Sequence, residues 1–385
     1  MKSERGINHI APEGWTVTKF GEVLTLQRGY DLPNAQRKNG SIPVIGSNGV
    51  VGYHNEKKVD GPGVVIGRSG TLGKVYFVKE DFWPLNTSLY VKKFNSIDPK
   101  FAYYFLQRLN FKQFHAGTSV PTLNRNLVHP MTISIPSNIA EQLKIAEILS
   151  TVDTIIKKSE EIIQRIRSMK KAMMNQLLTK GIGHTKFKQT EIGEIPEEWN
   201  IAKLGENMIA EIVMGQSPPS SSYNEDSEGL PFLQGNADFG ETYPNPTTYT
   251  TNPIKISLKD DILISVRAPV GEVNLSPFKC CIGRGLSAIR TNPQKLHYLF
   301  AFYYVKHTAT KLHALSTGST FKAIKKSDLE NYVIPTPSLA TQQKIVSILS
   351  EVDKKIEFEI ERKSRFEQIK KGLMNDLLTG KKRLN

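Results

Sequence analysis

Apolar residues recur along two stretches of the chain at the spacing of a coiled coil. From Ile145 to Leu177, alternating steps of four and three residues reach ten positions, of which eight are apolar. The same steps from Ile345 to Leu377 reach ten positions, of which seven are apolar. This spacing indicates helices that pack along one seam. Two helices of about 40 residues are therefore predicted, each on the order of 60 Å long at about 1.5 Å per residue.

Helix stop signals bound both stretches. Prolines and cap residues precede each helix, and a glycine follows its last turn. These residues are 135–138 and Gly181 for the first helix, and 334–338 and Gly380 for the second. Lys170 and Lys370 interrupt the seam at equivalent places. They leave an alternative open, in which the helices are ordinary amphipathic helices packed on their own modules.

The chain contains two copies of one arrangement. Residues 10–22 return at residues 195–206, and Trp15 becomes Trp199, an offset of 184. Two later matches keep one common offset of 200: residues 144–153 with 344–353, and residues 170–179 with 370–379. A fixed register of this kind is typical of an internal repeat. Each half is therefore a module followed by a helix, and the offset grows because the second module is longer.

The modules themselves have the pattern of α+β domains. Short apolar runs lie between clusters of Gly, Asn and Pro, which is typical of strands. These runs are residues 42–45, 64–66, 74–78 and 88–91 in the first module, and residues 255–258, 261–264 and 286–289 in the second. Residues 99–107 and their counterpart 296–304 have the composition of helices packed on a sheet.

These patterns predict an α+β fold in which two tandemly repeated α/β domains are joined by two long antiparallel coiled-coil helices. A compact domain brings its termini close together, so the second helix starts near the end of the first and runs back. The molecule would then have pseudo-two-fold symmetry, and a partner that binds one half would find a similar surface on the other. The predicted boundaries are 1–140 and 182–338 for the domains, and 141–181 and 339–385 for the helices.

Charge narrows the choice of partner. The 385 residues include 51 Lys and Arg against 37 Asp and Glu, a formal charge of +14 that favours a polyanion such as nucleic acid. Charge alone also fits RNA or an anionic membrane surface.

No apolar run approaches the roughly 18 residues of a membrane span, and the first residues lack a signal-peptide core. The adjacent Cys280 and Cys281 suit neither a disulfide nor a metal site, so a reducing, cytoplasmic location is expected.

Polar and basic loops between the strands are the candidate DNA-binding segments. They are residues 67–74 and 117–125 in the first module, and 266–271 and 317–326 in the second. Arg and Lys bind phosphates or guanine, Asn and Gln pair with adenine, and Gly admits close backbone approach. The residues predicted to contact DNA are Arg68, Ser69, Thr71, Lys74, Thr118, Ser119, Asn124 and Arg125, with Gln234, Asn236, Arg267, Arg284, Ser319, Thr320, Lys322 and Lys325.

No catalytic constellation accompanies these loops. The loop at residues 67–74 departs from P-loop spacing, and Val75 stands where a magnesium-binding hydroxyl is needed. The Ser-Pro-Pro-Ser segment at residues 217–220 lacks the aromatic residue that would stack on a flipped base. The histidines have no metal-binding spacing. We expect no catalytic site, cofactor or metal; a DNA-modifying enzyme with an undetected site and a two-domain RNA-binding protein stay open as alternatives.

The repeated flanks of the modules resemble those of the specificity subunits of type I restriction-modification systems. The shared features are a Pro-Glu-x-Trp start, an Ile-Pro stop, a Gln-x-Lys-Ile-x-x-Ile-Leu-Ser helix opening and a Leu-Leu-Thr ending. The resemblance spans essentially the whole chain. It implies that the modules are target recognition domains, each of which reads one half of a bipartite DNA site, and that the helices set the unread gap.

The resemblance also implies partners. Two methyltransferase (M) subunits would bind the helices, and restriction (R) subunits would join through them, so that adenine methylation and ATP-dependent cleavage occur on the partners. S-adenosylmethionine would be held by the methyltransferases and not by this chain. Residues 217–228 and 238–251 of the second module have no evident match in the first. Base contacts therefore cannot be transferred between the halves in these segments.

Overall fold

The computed structural model describes residues 11–116, 121–310, 312 and 323–384. The chain divides into two compact units. Unit 1 comprises Met1–Glu161 with Ile360–Asn385, and unit 2 comprises Ile162–Glu359. Each unit therefore contains one module and one half of each long helix. In the described part of the chain, no helix combines the length and the apolar character that a membrane span requires.

The first module is built on a four-stranded antiparallel sheet. Its strands are β1 (Trp15–Lys19), β2 (Leu24–Arg28), β3 (Ile42–Gly46), β4 (Gly49–His54), β5 (Gly63–Gly67), β6 (Val75–Val78), β7 (Trp83–Pro84), β8 (Ser88–Phe94), β9 (His115–Ala116), β10 (Thr122–Leu123) and β11 (Thr132–Pro136). Its helices are α1 (Phe20–Val23), α2 (Pro99–Arg108) and α3 (Arg125–Val128), with 3-10 turns at Asn34–Gln36 and Phe111–Phe114. The main sheet has the order β2-β8-β5-β6, and β4-β3-β7 form a second sheet.

The second module repeats this arrangement with additions. Its strands are β12 (Phe187–Thr190), β13 (Gly193–Pro196), β14 (Asn200–Lys203), β15 (Ala210–Met214), β16 (Tyr223–Asn224), β17 (Leu230–Leu233), β18 (Tyr249–Thr250), β19 (Ile256–Ser257), β20 (Ile262–Ser265), β21 (Val273–Leu275), β22 (Cys280–Ile282), β23 (Leu286–Thr291) and β24 (Val333–Thr336). Its helices are α5 (Tyr298–His307) and α6 (Lys326–Glu330), with 3-10 turns at Ser220–Ser222 and Asn236–Asp238. The order β15-β23-β20-β21 matches the main sheet of the first module, and a five-stranded sheet β16-β18-β17-β22-β19 replaces the three-stranded one.

Each module is closed by pairing a strand near its start with its last strand. Trp15 of β1 lies opposite Pro136 of β11, and Asn200 of β14 lies opposite Thr336 of β24, both in antiparallel register. The chain therefore enters each module beside the point where the long helix leaves it. The Pro-Glu-x-Trp and Ile-Pro segments therefore lie near each other at the base of each module.

The two long helices are α4 (Ile139–Thr179) and α7 (Leu339–Leu377). All ten seam positions of each helix are buried or half-buried. Within unit 1 the helices run antiparallel, since Lys370 pairs with Asp153 and Lys363 with Glu160. The fold class is therefore as predicted: α+β, with two repeated domains and two long antiparallel helices.

The ends of these helices also pack into the modules. Ile145 and Leu149 of α4, with Leu377 at the end of α7, share one buried cluster with Phe101 of α2 and the main sheet. In unit 2 the corresponding cluster joins the end of α4 to the start of α7 and to α5. The seam and the packing of helices on their own modules therefore coexist.

A glycine in the left-handed region ends each long-helix segment, as predicted. Gly181 has φ +69° and Gly380 has φ +70°. A Cβ at Gly181 would lie 2.8 Å from the Trp199 ring, and one at Gly380 would lie 3.1 Å from the Trp15 ring. Glycine is needed both for the backbone angle and for the close approach of the tryptophan. The repeated tryptophans therefore pack against the glycines that end the two long helices.

Element boundaries within the modules differ slightly from the sequence prediction. The helix expected from residue 296 begins at Tyr298, because the His297 side chain accepts a hydrogen bond from the Leu299 amide (3.2 Å) and acts as the N-cap. Several strands were not predicted from the sequence: β1, β2, β4 and β11 in the first module, and β15, β21 and β22 in the second. Strands β21 and β22 have only three residues each, so their alternation is too brief to detect.

Candidate nucleic-acid interface

The two candidate loops of the first module lie side by side. The loop at residues 67–74 connects β5 to β6, and the Gly67 amide donates to the carbonyl of Lys74 (2.8 Å) across its base. Ser69 forms a β-bridge with Thr122, and the Leu123 amide donates to the carbonyl of Arg68 (2.8 Å). Two segments that are about fifty residues apart in the chain are thereby joined into one surface.

The candidate loops of the second module are joined in the same way. Arg267 forms a β-bridge with Ala323, and the Ile324 amide donates to the carbonyl of Val266 (2.9 Å). The two bridges place Arg267 at the position of Ser69. The position of Arg68 is occupied by Val266. The two loop arginines named from the sequence therefore lie at neighbouring, non-equivalent positions.

A third segment lies against these loops in both modules. The Arg68 amide donates to the carbonyl of Thr87 (2.9 Å), and the Val266 amide donates to the carbonyl of Gly285 (2.8 Å). Asn86 therefore corresponds to Arg284, each one residue before the acceptor. Arg284 was predicted from the sequence, whereas Asn86 was missed because its match lies at an offset of 198, a value that neither repeat motif shares.

The turns that follow the first strands of the two main sheets complete the surface. The Gly29 amide donates to Ser88 (3.0 Å), and the Gly215 amide donates to Leu286 (2.9 Å), so the two glycines correspond. A Cβ at either glycine would overlap a carbonyl oxygen of the adjacent segment. Arg28, one residue before Gly29, is thereby held at the same surface; the sequence analysis had not singled it out.

We call the resulting surface of each module its loop face. The first loop face comprises residues 28–31, 46–48, 67–74, 86–87 and 122–126, and the second comprises residues 214–217, 234–236, 266–271, 283–285 and 323–326. The backbone hydrogen bonds described above recur in both modules, while the side chains at equivalent positions differ. One contact differs: the Asn86 amide donates to the Tyr30 carbonyl (3.0 Å), whereas the Arg284 amide donates to the Ser217 hydroxyl. A constant framework thus presents two different sets of polar groups.

The predicted residues of the first loop face have different local roles. Lys74 is exposed, and its ammonium lies 5.4 Å from the centre of the Tyr76 ring. The Thr71 hydroxyl donates to Asn48. Asn124 caps α3, because its side chain accepts from the Asn126 amide (3.0 Å). The half-buried Ser69 lies in the bridge described above. Thr118 and Ser119 lie outside the described residues.

Most predicted residues of the second loop face point to solvent. Gln234, Arg267, Arg284 and Lys325 are exposed, and Asn236 is half-buried. The remaining predicted residues, Ser319, Thr320 and Lys322, lie outside the described residues.

The Ser-Pro-Pro-Ser segment joins the second loop face. The Ser217 hydroxyl accepts a hydrogen bond from the Arg284 amide (3.2 Å), and the amide of the preceding Gln216 donates to Ile282 (2.9 Å). This segment therefore supports the arginine-bearing turn.

A pocket opens on the first loop face. Its volume is about 340 Å³. The lining residues are Arg28, Arg68, Leu89, Thr122, Leu123, Asn124, Arg125 and Asn126. Burial, followed by the charge of Arg28, lowers the pKa of the Arg68 guanidinium. Positive charge is therefore concentrated at this point of the surface.

Comparison with known proteins identifies the family to which this architecture belongs. The type I restriction modification DNA specificity domain matches the chain twice, at residues 12–168 and 196–368. The chain belongs to the type I restriction-modification specificity subunit family. Each match covers one module and most of the long helix that follows it, so the internal repeat and the family domain coincide.

Two curated relatives match this chain over almost its whole length, and a third matches over part of it. The protein named as the MjaX type I restriction enzyme specificity subunit of Methanocaldococcus jannaschii is 39% identical, over 97% of this chain and 95% of the relative. The MjaVIII specificity subunit of the same organism is 27% identical over 97% and 94%. The specificity subunit EcoprrI of Escherichia coli is 30% identical over 39% of this chain and 38% of the relative.

Solved structures show the same fold. A chain from a structure concerned with complex assembly and conformational transition of the type I R-M system is 25% identical, with a TM-score of 0.62 over 96% of this chain and 99% of that one. The S subunit from M. genitalium has a TM-score of 0.67 over 97% of both chains at 17% identity. The second likeness concerns the fold alone.

Proposed function

We propose that this specificity subunit is the DNA-reading component of a type I restriction-modification complex and carries no catalytic site of its own. The observation that carries the proposal is the pair of loop faces, which share one backbone framework and differ in their side chains. Each loop face would read one half of a bipartite double-stranded DNA site. Different half-sites would then require different residues on the same scaffold.

The sixteen residues predicted from the sequence are proposed to contact DNA. Exposed Arg267 and Arg284 can donate to phosphates or to guanine, and exposed Gln234 can pair with adenine. Asn124 and Ser69, which already make local hydrogen bonds or bridges, would act partly by holding their loops in place.

The partners follow from the same proposal. Two methyltransferase subunits would bind the long helices, restriction subunits would join through them, and the complex would act on DNA in the cytoplasm. Methylation of adenine and ATP-dependent cleavage would take place on those subunits. The proposed functional divisions are two target recognition domains, residues 1–140 and 182–338, and two helices, residues 141–181 and 339–385. The length of the helices would set the unread gap.

Sequencing of methylated adenine tests this proposal. A host that carries this chain with its neighbouring methyltransferase is compared with a host that lacks only this chain. A split motif that disappears with the chain is the expected result, and it supplies the target sequence. Methylation of the same adenines without the chain would contradict the proposal, and competition by structured RNA at matched salt would then test RNA binding. Methylation or cleavage by the purified chain alone would instead show an enzyme.

A further inference from the structure

Three arginines from separate segments of the first module converge on one pocket. Arg28 ends β2, Arg68 lies at the start of the loop between β5 and β6, and Arg125 is the first residue of α3. The pocket holds about 340 Å³, and among the described residues that line it none is acidic. Like charges therefore face one small, concave space.

This convergence has an electrostatic cost in the free protein. Arg68 is half-buried, and its Nη1 donates to the Asn86 carbonyl (3.2 Å), an acceptor that does not neutralise its charge. Arg28 has Asp31 at 3.6 Å, but both side chains are more than half exposed, so solvent weakens that pair. An anion in the pocket would offset both the repulsion between the guanidinium groups and the burial of Arg68.

The second module does not repeat this cluster. By the backbone equivalences of the loop faces, Met214 stands at the position of Arg28 and Val266 at the position of Arg68. Lys326 begins α6 where Arg125 begins α3. Two of the three positive charges are therefore absent from the second loop face at this point, and the pocket is a feature of the first module.

The charge of the pocket favours a phosphate over a base. A guanine edge carries no net charge, and it accepts two parallel hydrogen bonds from the planar guanidinium of a single arginine. A backbone phosphate is charged, is the strongest anion on DNA, and accepts from several donors at once. Three arginines line this one space, and Arg125 also donates through Nη1 to the Leu26 carbonyl (3.4 Å); this lining matches the second ligand.

We infer that this pocket binds one phosphate of the DNA backbone at the first half-site, and that Arg28 is a DNA-contacting residue together with Arg68 and Arg125. The inference rests on the proposed function, since it presumes that the first loop face meets DNA. It adds an asymmetry: this phosphate anchor belongs to one half-site only, and it fixes the position of the first module without reading a base.

The experiment measures binding of the complete complex of this chain and its methyltransferase subunits to a duplex carrying the target, over a series of salt concentrations. Arg28→Met, which copies the residue of the second module, is expected to reduce the slope of log affinity against log salt by less than about 0.9, the value for one phosphate, because Arg68 and Arg125 still line the pocket. Arg28→Met with Arg68→Val is expected to reduce the slope further, toward about 0.9, because both side chains serve one phosphate. Base preference at every position is expected to stay unchanged.

Two control variants distinguish the effect of the lost positive charge from an effect on folding. Lys93→Met removes an exposed positive charge at the far end of β8, outside the loop face, so the slope is expected to stay at the wild-type value. Arg28→Lys keeps the charge and is expected to restore most of the slope. A duplex with single neutral methylphosphonates tests the wild-type complex directly: substitution at one position in the first half-site is expected to weaken binding. The same substitution is expected to weaken binding less in Arg28→Met, and least in Arg28→Met with Arg68→Val.

The outcomes distinguish the pocket from the proposed function. Sequence-specific binding with an unchanged slope in Arg28→Met, or no sensitive methylphosphonate in the first half-site, would overturn the pocket. Relaxed preference at one base pair would also overturn it, since Arg28 would then read a base. Absence of any target-specific binding by the wild-type complex would instead overturn the proposed function.

Discussion

Lys370 Nζ lies 2.6 Å from Asp153 Oδ1, and the same carboxylate accepts a hydrogen bond from the Tyr104 hydroxyl at 2.8 Å. The ammonium also lies 5.7 Å from the centre of the Tyr104 ring. Unit 2 has the same three contacts, made by Lys170, Asp353 and Tyr303. We call each group a Tyr–Asp–Lys clasp. The lysines that interrupt the apolar seam are therefore partners of a carboxylate on the facing helix, and each clasp ties a module helix to both long helices.

Removal of a clasp lysine is expected to destabilise the protein. Lys370→Ala leaves a largely shielded carboxylate without its counter-charge, so the free energy of unfolding should fall by about 1–3 kcal/mol. Denaturant unfolding of the purified chain measures this. Lys371→Ala, an exposed neighbour, is the matched control and should change the free energy by less than about 0.5 kcal/mol. Equal losses in the two variants would contradict a specific role for the clasp.

Substitution of the helix-ending glycine should be costly. Gly380→Ala places a side chain at φ +70° and close to the Trp15 ring, so a loss of about 1–2 kcal/mol is expected from the backbone angle alone. Gly372 is the control, because it lies inside α7 and a Cβ there meets nothing within 4 Å. Gly372→Ala should stabilise by about 0.5–1 kcal/mol. Thermal unfolding of both variants gives the test, and shifts of the same sign would be inconsistent with it.

Acid is expected to destabilise the first module through His129. Its Nε2 accepts a hydrogen bond from the Leu26 amide (3.0 Å), which requires the neutral ring, and burial followed by the charge of Arg125 lowers its pKa. Below the ordinary value of 6.5 the unfolded chain therefore binds more protons than the folded one. The stabilising contribution is complete above about pH 7 and is lost as the pH falls through 6.5 and toward the lowered value.

Urea unfolding at several pH values between 7.5 and 5 measures this effect. In His129→Gln the fall in stability over that range should be smaller than in the wild type. It should not vanish, since burial also lowers the pKa of His297. An identical pH dependence in the variant and the wild type would rule out a contribution from His129.

Loss of Arg267 should affect the second half-site alone. Arg267→Ser copies the residue at the equivalent position of the first loop face. Binding to the target should weaken by about 1–3 kcal/mol, with relaxed preference at a base pair of the second half-site if the guanidinium reads a base. Competition among duplexes with single base-pair changes measures it. Lys259→Ser removes the same charge at the far end of β20 and should leave base preference intact. Changed preference in the first half-site would count against the assignment.

Helix length should determine the unread gap. A heptad preserves the phase of the seam and adds about 10 Å of helix. One heptad in α4 should lengthen the gap or abolish activity, and a matching heptad in α7 should restore activity with a gap longer by about three base pairs at about 3.4 Å each. Sequencing of methylated adenine gives the gap directly. A functional variant with the original gap would exclude the helices as the ruler.

The sequence by itself determined the repeat, the two long helices with their seam, the glycines that end them and some of the strands, such as β3, β5, β8 and β23. These features depend on local periodicity and on residues with special backbone angles, so they can be detected without distant contacts. The tryptophans were visible as repeated residues, but their packing on Gly181 and Gly380 was not.

Only the tertiary structure decided which residues share a loop face and which positions correspond. The offset between equivalent residues is 186 at Gly29, 198 at Arg68 and 201 at Leu123, because insertions of different length lie between the segments. No single register of the sequence therefore aligns all the segments of the two loop faces, and the offset of 198 that pairs Ser69 with Arg267 is shared by neither repeat motif. Arg28 is positioned by backbone hydrogen bonds between strands that are distant in the chain. The residues next to it in the sequence do not show that it lies near Arg68 and Arg125. Pairing between distant segments, and not local pattern, places those charges together.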